Sequence, residues 1–321
     1  MQRSLLYAPP ETASRWKQRK HRLLIVLAGL LLLEMGLLAR GIMLLPSGSP
    51  RGIPTPTPTP RLFLPAPPSI QAAASMLEDV TTHRVLFGHN VDAELPMAST
   101  TKIMTAVMAL ETGHLDQSVT MGSDVLDLPP DASRMGLLPG DVLTMRQLLY
   151  GLLLPSGDDA AIAIADAVSK ERGANFIDLM NQQAQFLGLT HTHYVNPHGL
   201  DAPEHYTSAR DLVNLTRFAL RLPFFSTLID TYVYTIPDSR QHHAFPPLKN
   251  TNELLAPNTG YPGANGVKTG TTGQAGDCLV FSATRNGQQL VGVVLGAPSD
   301  DARYTDARDL LDWGFSVRGS A

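Results

Sequence analysis

Cysteine is almost absent: Cys278 is the only one in 321 residues. Neither an intramolecular disulfide nor a cysteine-based metal site can be built from it. A basic body is lacking too. The formal net charge is −4, but residues 1–22 carry +5, from Arg3, Arg15, Lys17, Arg19, Lys20 and Arg22 against Glu11, which leaves −9 over the remainder. An acidic body argues against a nucleic-acid partner, because neutralising phosphates requires a basic face. The sequence contains no internal repeat, and no unbroken apolar run reaches the roughly 20 residues of a bilayer span.

What stands at the N-terminus comes close to one. "LLIVLAGLLLL", residues 23–33, follows the basic tail, and apolar character resumes after Glu34 and continues through Arg40 to Leu45. Charges near the bilayer centre are costly; Arg40 can snorkel outward, whereas Glu34 lies nearer the middle. A cleaved signal sequence would place a small-residue site soon after its apolar core, and "QAAAS" at 71–75 comes about 40 residues too late. We therefore read 1–22 as a cytoplasmic tail and 23–45 as a transmembrane anchor, with a signal sequence as the alternative. Either places the body outside the cytoplasm, since the positive flank stays in. Residues 46–69 hold nine prolines. Such a linker favours extended polyproline II and would reach roughly 75 Å at about 3.1 Å per residue.

From Ile70 the composition turns globular. "AASMLEDVTTHRVLFGHN" reads as two strands around a turn near Thr81–His83. "TTKIMTAVMALETG" reads as a helix stopped by Gly113. "TMRQLLYGLLLPSGDDAAIAIADAVS" gives two helices broken at Pro155–Ser156–Gly157, and "GANFIDLMNQQAQFLGL" a helix ending at Gly188. Ser208-x-x-Asp211 has the pattern of a capping box. "CLVFSATRNGQQLVGVVLGA" is a hairpin turning at Asn286–Gly287, and "DARYTDARDLLDWGF" a closing helix. Strands at both ends with helices between predict one α+β domain over 70–318, its sheet joining the two ends.

The stretch "MASTTKIMTAVMAL", residues 97–110, contains an anomaly. Lys102 stands near a helix start, where it opposes the macrodipole. Ser99 lies three residues earlier, on the same helical face. A serine hydroxyl is a weak nucleophile until a base takes its proton, and lysine serves as that base only where desolvation or nearby positive charge depresses its pKa. Ser-x-x-Lys alone is weak, with roughly one copy expected by chance in such a chain; Ser14–Lys17 in the tail fits as well. Two further elements follow: Ser156 in "LLLPSGDDAA", and Lys268-Thr269-Gly270 in "GVKTGTTGQAG". The ordered set matches the three-part signature of penicillin-binding proteins and serine β-lactamases.

With "LPMASTTKIMTA", "LLLPSGDDAA", "YVNPHGLD", "TSARDL", "GVKTGTT" and the closing hairpin, residues 70–318 resemble the serine D-Ala-D-Ala carboxypeptidases among low-molecular-weight penicillin-binding proteins. The resemblance implies an antiparallel sheet covered by helices beside an all-helical lobe. It further implies that Ser99 attacks the D-Ala-D-Ala carbonyl, that Lys102 acts as base, and that Ser156 relays a proton to the departing nitrogen. Lys268 would supply positive potential, Thr269 would hold the substrate carboxylate, and the oxyanion hole would use the Ser99 and Thr271 amides beside Gly270. The implied partners are peptidoglycan stem peptides ending in D-Ala-D-Ala, with β-lactams as inhibitors and no cofactor or metal. The additional C-terminal β domain of many relatives is expected to be missing.

One position departs from the pattern, which usually reads Ser-x-Asn. Here it is Ser156-Gly157-Asp158. An amide both accepts and donates, whereas an ionised carboxylate only accepts, and its charge favours a protonated Lys102. A retained activity is the preferred reading, with a non-catalytic cell-wall-binding protein or a serine β-lactamase as alternatives. Glu253 in "NELL" stands too near Lys268 to be the deacylating glutamate of class A β-lactamases and reads as a loop residue. His191, His193, His198 and His205 lack the helical His-Glu-x-x-His pattern of a zinc site. Asp159 reads as an early helix residue well placed for the dipole.

Overall fold

The computed structural model describes residues 65–237 and 243–318. The tail, the anchor and nearly all of the proline-rich linker lie outside the described residues, and no helix among the described residues is long and apolar enough to cross a membrane.

In chain order the strands are β1 (Ala74–Asp79), β2 (Arg84–His89), β3 (Ser118–Thr120), β4 (Val142–Thr144), β5 (Val233–Tyr234), β6 (Leu248–Lys249), β7 (Ala264–Thr272), β8 (Gly276–Arg285) and β9 (Gln288–Ala297). The helices are α1 (Lys102–Leu110), α2 (Met145–Leu153), α3 (Asp158–Arg172), α4 (Phe176–Phe186), α5 (Ala209–Ala219), α6 (Phe225–Asp230) and α7 (Asp300–Arg318). The main sheet is antiparallel in the order β2-β1-β9-β8-β7. The expected pairing of the two ends is present: β1 lies against β9, with Met76 opposite Val293. The β8–β9 turn has Asn286 and Gly287 at φ 50° and 75°, as a type I′ hairpin requires.

Alternating residues of the sheet serve two cores, as the two-residue period of a strand dictates. Met76, Val280, Val293 and Leu295 join α1, α2 and α5 in one. Leu77, Leu279, Phe281 and Val294 join Ala307, Leu310 and Leu311 of α7 in the other. The sheet is thus covered on both faces. Every residue of α1 is buried, which is why its sequence is apolar nearly all round. The helical lobe carries, in addition to α1–α4, the short ribbon β3–β4.

The helix starts follow their side chains. Thr144 and Gln147 form a reciprocal capping box on α2, and Asn175 caps α4 through the amides of Ile177 and Asp178. Ser208 caps α5 by accepting from the Asp211 amide, but the box predicted there is only half made. The Asp211 carboxylate instead accepts from the His191 amide and the Thr192 hydroxyl, both at 2.8 Å. A tertiary partner has taken the side chain that a local pattern assigned to the cap.

The arrangement leaves β7 at the edge of the sheet. Its outer backbone groups have no neighbouring strand, and the turn that bears Ser99 packs against this strand.

Candidate active site

Ser99 sits in a 3-10 turn, Ala98–Thr101, that runs straight into α1. Two threonines tie this turn down: Thr100 Oγ1 donates to Met97 O at 2.6 Å and Thr101 Oγ1 to Ala98 O at 2.8 Å. Ala98 itself has φ 47°, a left-handed conformation that costs a non-glycine residue roughly 1–2 kcal/mol. It persists because two glycines close on it. A Cβ on Gly199 would lie 2.0 Å from Ala98 O, and one on Gly270 would lie 3.0 Å from Ser99 N. The glycine of Lys268-Thr269-Gly270 therefore lets β7 approach the backbone of the serine itself.

At the first position of α1, one turn after Ser99, Lys102 is wholly buried. Its three ammonium protons all have acceptors: Ser99 Oγ at 2.8 Å, Asp158 Oδ1 at 2.5 Å and His198 O at 2.7 Å. Burial pushes the Lys102 pKa down, and the Asp158 carboxylate opposes that shift by charge and by hydrogen bond. The break between α2 and α3 delivers both other members of the second motif. Ser156 is held at φ 66°, with its hydroxyl buried and without a hydrogen-bond partner among the described residues. Asp158 opens α3, where its carboxylate also accepts from the Ser133 amide at 3.1 Å.

The third wall is β7. Lys268 is buried, and its ammonium donates to Thr269 O at 2.9 Å. Its pKa is driven far down by burial first, then by the charge of Lys102. The Thr269 and Thr251 hydroxyls share a hydrogen bond of 2.6 Å. The sequence elements at 99–102, 156–158 and 268–271 are thus brought to one place: Lys102 touches the first two by hydrogen bond, and Gly270 touches the Ser99 turn.

Two residues of this site carried little sequence signal. Arg303, in the first turn of α7, reaches across to Gly270 O at 3.1 Å and Thr271 Oγ1 at 3.0 Å, with carboxylates of Asp277 and Asp300 balancing its charge. A cation in a helix's first turn opposes the dipole, as Lys102 does, and that was the one signal available. Asp159 is the second: it stands in the first turn of α3 as expected, where it accepts from the Ala160 amide at 2.9 Å, and it has a further role. It accepts from the amides of Met135, Gly136 and Leu137 at 3.0, 2.9 and 3.0 Å while fully buried. It clamps the loop whose Ser133 amide holds Asp158. Asp159→Ala would strand these buried donors, at about 3–5 kcal/mol for breaking a buried charged network. At roughly 2–4 °C per kcal/mol for a domain of this size, thermal denaturation should show Tm lowered by about 6–20 °C, with Asp159→Asn losing less.

The histidines have separate duties. His191 meets Glu94, His193 donates to Glu204 O, and His198 Nδ1 accepts from the Leu200 amide. Among the described residues no three His, Cys, Asp or Glu side chains are placed to share a metal ion. Glu253 lies in a short 3-10 turn after β6, and Cys278 is buried in β8.

A model of the family described as D-alanyl-D-alanine carboxypeptidase, Peptidase S11, matches residues 62–299. The chain belongs to this family. It is 37% identical to the D-alanyl-D-alanine carboxypeptidase of Streptomyces sp. strain K15 over 262 residues, which are 78% of this chain and 89% of that protein. It is 37% identical to DacC of Escherichia coli K12 over 258 residues, where the match spans only 62% of the relative's length. The crystal structure of the Streptomyces K15 DD-transpeptidase superposes with a TM-score of 0.72 and 37% identity, covering 78% of this chain and 99% of that one. Penicillin-binding protein 6B of Escherichia coli gives 0.71 at 35% identity, covering 79% and 80%. This Peptidase S11 chain therefore has the penicillin-binding-protein fold, an α+β architecture.

Proposed function

We propose that the protein is a serine D-Ala-D-Ala carboxypeptidase that removes the terminal D-alanine of peptidoglycan stem peptides through an acyl-enzyme on Ser99, and that penicillins acylate the same hydroxyl. The observation that carries this reading is the hydrogen bond of 2.8 Å between the buried Lys102 ammonium and Ser99 Oγ, on a lysine whose burial favours losing a proton. Once neutral, Lys102 takes the Ser99 proton as the oxygen attacks the carbonyl carbon. The developing oxyanion is met by the Ser99 and Thr271 amides, donors that gain strength as charge develops. Ser156, with its unspent hydroxyl, passes a proton to the departing nitrogen. Lys268, Thr269 and Arg303 give the donor-bearing side of the cleft that suits the substrate carboxylate. The free edge of β7 suits an extended peptide added as a further strand. Water then releases the acyl group, and no cofactor enters the scheme.

The peptidase domain would span 70–318, tethered outside the cytoplasm by 23–45 through the proline-rich linker, with the alternative of a secreted body if 23–45 is a cleaved signal. A second reading is favoured by one observation, the contact of 2.5 Å between Lys102 and Asp158: a pair that never gives up its proton would leave a cell-wall-binding protein without turnover. Incubation of the purified protein with an N-acylated L-Lys-D-Ala-D-Ala peptide decides between them. Release of one equivalent of D-alanine per peptide, measured by coupled amino-acid oxidation, is expected; no release from folded protein would favour the binder, and fast penicillin hydrolysis instead would favour a β-lactamase.

A further inference from the structure

The Ser99 turn is held from behind by a histidine that no motif includes. His205 follows the Pro-His-Gly-Leu-Asp stretch and is 5% exposed. Its ring lies between two partners. The Val195 amide donates to His205 Nδ1 at 3.1 Å, so Nδ1 is the acceptor and the ring proton is on Nε2. That nitrogen stands 2.8 Å from Thr101 Oγ1. The hydroxyl has one proton, and it accepts the His205 N–H while donating to Ala98 O at 2.8 Å. The chain of donors is thereby directed from end to end: Val195 amide, His205, Thr101, Ala98 carbonyl.

The last link matters because a peptide unit is planar and trans. The Ala98 carbonyl and the Ser99 amide belong to the same plane and point in opposite directions. Whatever fixes Ala98 O therefore fixes the heading of the Ser99 N–H. This plane belongs to a residue at φ 47°, which has an intrinsic preference to rotate away. Resting on the reading of Ser99 as nucleophile and oxyanion donor, we propose that His205 is a positioning residue for acylation: through Thr101 and the Ala98 carbonyl it holds the Ser99 amide aimed at the oxyanion.

Only the neutral ring can serve, since a second ring proton would face the Val195 amide. Burial is the main cause that lowers the His205 pKa to about 4, with smaller electrostatic contributions from His198 and His193 in the same direction and one from Asp201 opposing. Tyr194 packs edge-on to the ring, with centroids 6.1 Å apart. The ring is thus kept in the one form that its two bonds allow.

The test is a double-mutant cycle on the full chain, reading the acylation rate constant and the prior non-covalent binding constant for a fluorescent penicillin. Loss of a whole oxyanion donor costs about 10²–10³ in rate, so a misdirected one is expected to cost about 10- to 100-fold. His205→Ala and Thr101→Val should each lower the acylation rate constant by that factor with the binding constant unchanged. The double variant should be no worse than either, Thr101→Ser should restore the rate, and affinity for a peptide boronate, whose tetrahedral adduct occupies the oxyanion site, should fall in parallel. The near-isosteric Thr101→Val decides the matter if His205→Ala does not fold. Single-variant rates equal to wild type, or losses that multiply in the double variant, would overturn the proposal. A wild-type protein that is itself not acylated would instead overturn the assignment of Ser99.

Discussion

Ser99→Ala should leave no covalent adduct with benzylpenicillin on intact-mass analysis, where the wild type gains the mass of one drug molecule and peptide mapping places it on Ser99. The effect is all-or-none because no second hydroxyl among the described residues shares the geometry. Thr100 and Thr101 spend their protons on Met97 O and Ala98 O, so neither faces the lysine. Ser156 is not bonded to Lys102, whose three protons go to Ser99, Asp158 and His198. The fold should survive, since the hydroxyl's hydrogen bond to the ammonium is one of three and the other two remain. An adduct that persisted in the variant would sink the nucleophile assignment.

Asp158→Asn is the second large effect, and its sign is the opposite. Acylation needs Lys102 without its proton, so the rate rises with pH through the Lys102 pKa. Burial lowers that pKa and the Asp158 carboxylate raises it. An opposite charge at such a distance is worth about 1–3 pKa units. Removing it should carry the rising limb of the pH–rate profile to lower pH by at least one unit. Below the wild-type limb, where rate is proportional to the neutral fraction, acylation should run about tenfold faster or more. Stopped-flow acylation between pH 5 and 10 measures this directly. An unmoved limb with a severely reduced rate would show that the carboxylate itself performs a step, for instance as the acceptor that takes the proton Lys102 removes.

These two outcomes also separate the enzyme from the binder. A protein whose Lys102–Asp158 pair is inert should gain acylation when the aspartate is replaced, whereas an active enzyme already acylates and merely shifts its pH range.

Much of this was written in the sequence because it is local. Strand alternation, the Asn286–Gly287 turn and the interruption at Pro155–Gly157 each depend on residues a few positions apart, and the fold follows them. The three motifs were legible as a set, and so was the departure at Asp158, because each is a short run of defined residue types. What a cation is doing at a helix start was legible only as an anomaly. It took the tertiary structure to show that Lys102 is wholly buried against a carboxylate 56 positions away, and that Arg303 repeats the anomaly on the other side of β7.

The remaining pieces were decided by the tertiary structure alone, for a common reason. Asp159, Asp211 and His205 each satisfy backbone or hydroxyl groups far away in the chain, and a polar side chain's choice between a local cap and a distant donor is not encoded in its neighbours. Asp159 stands in the first turn of its own helix as expected and accepts from the Ala160 amide there, but it also clamps residues 135–137; Asp211 was expected to complete a cap and holds the His191 amide instead. Local pattern determined which elements form and which residue types can do chemistry. Burial, which makes every unsatisfied polar group costly, determined which of them must meet.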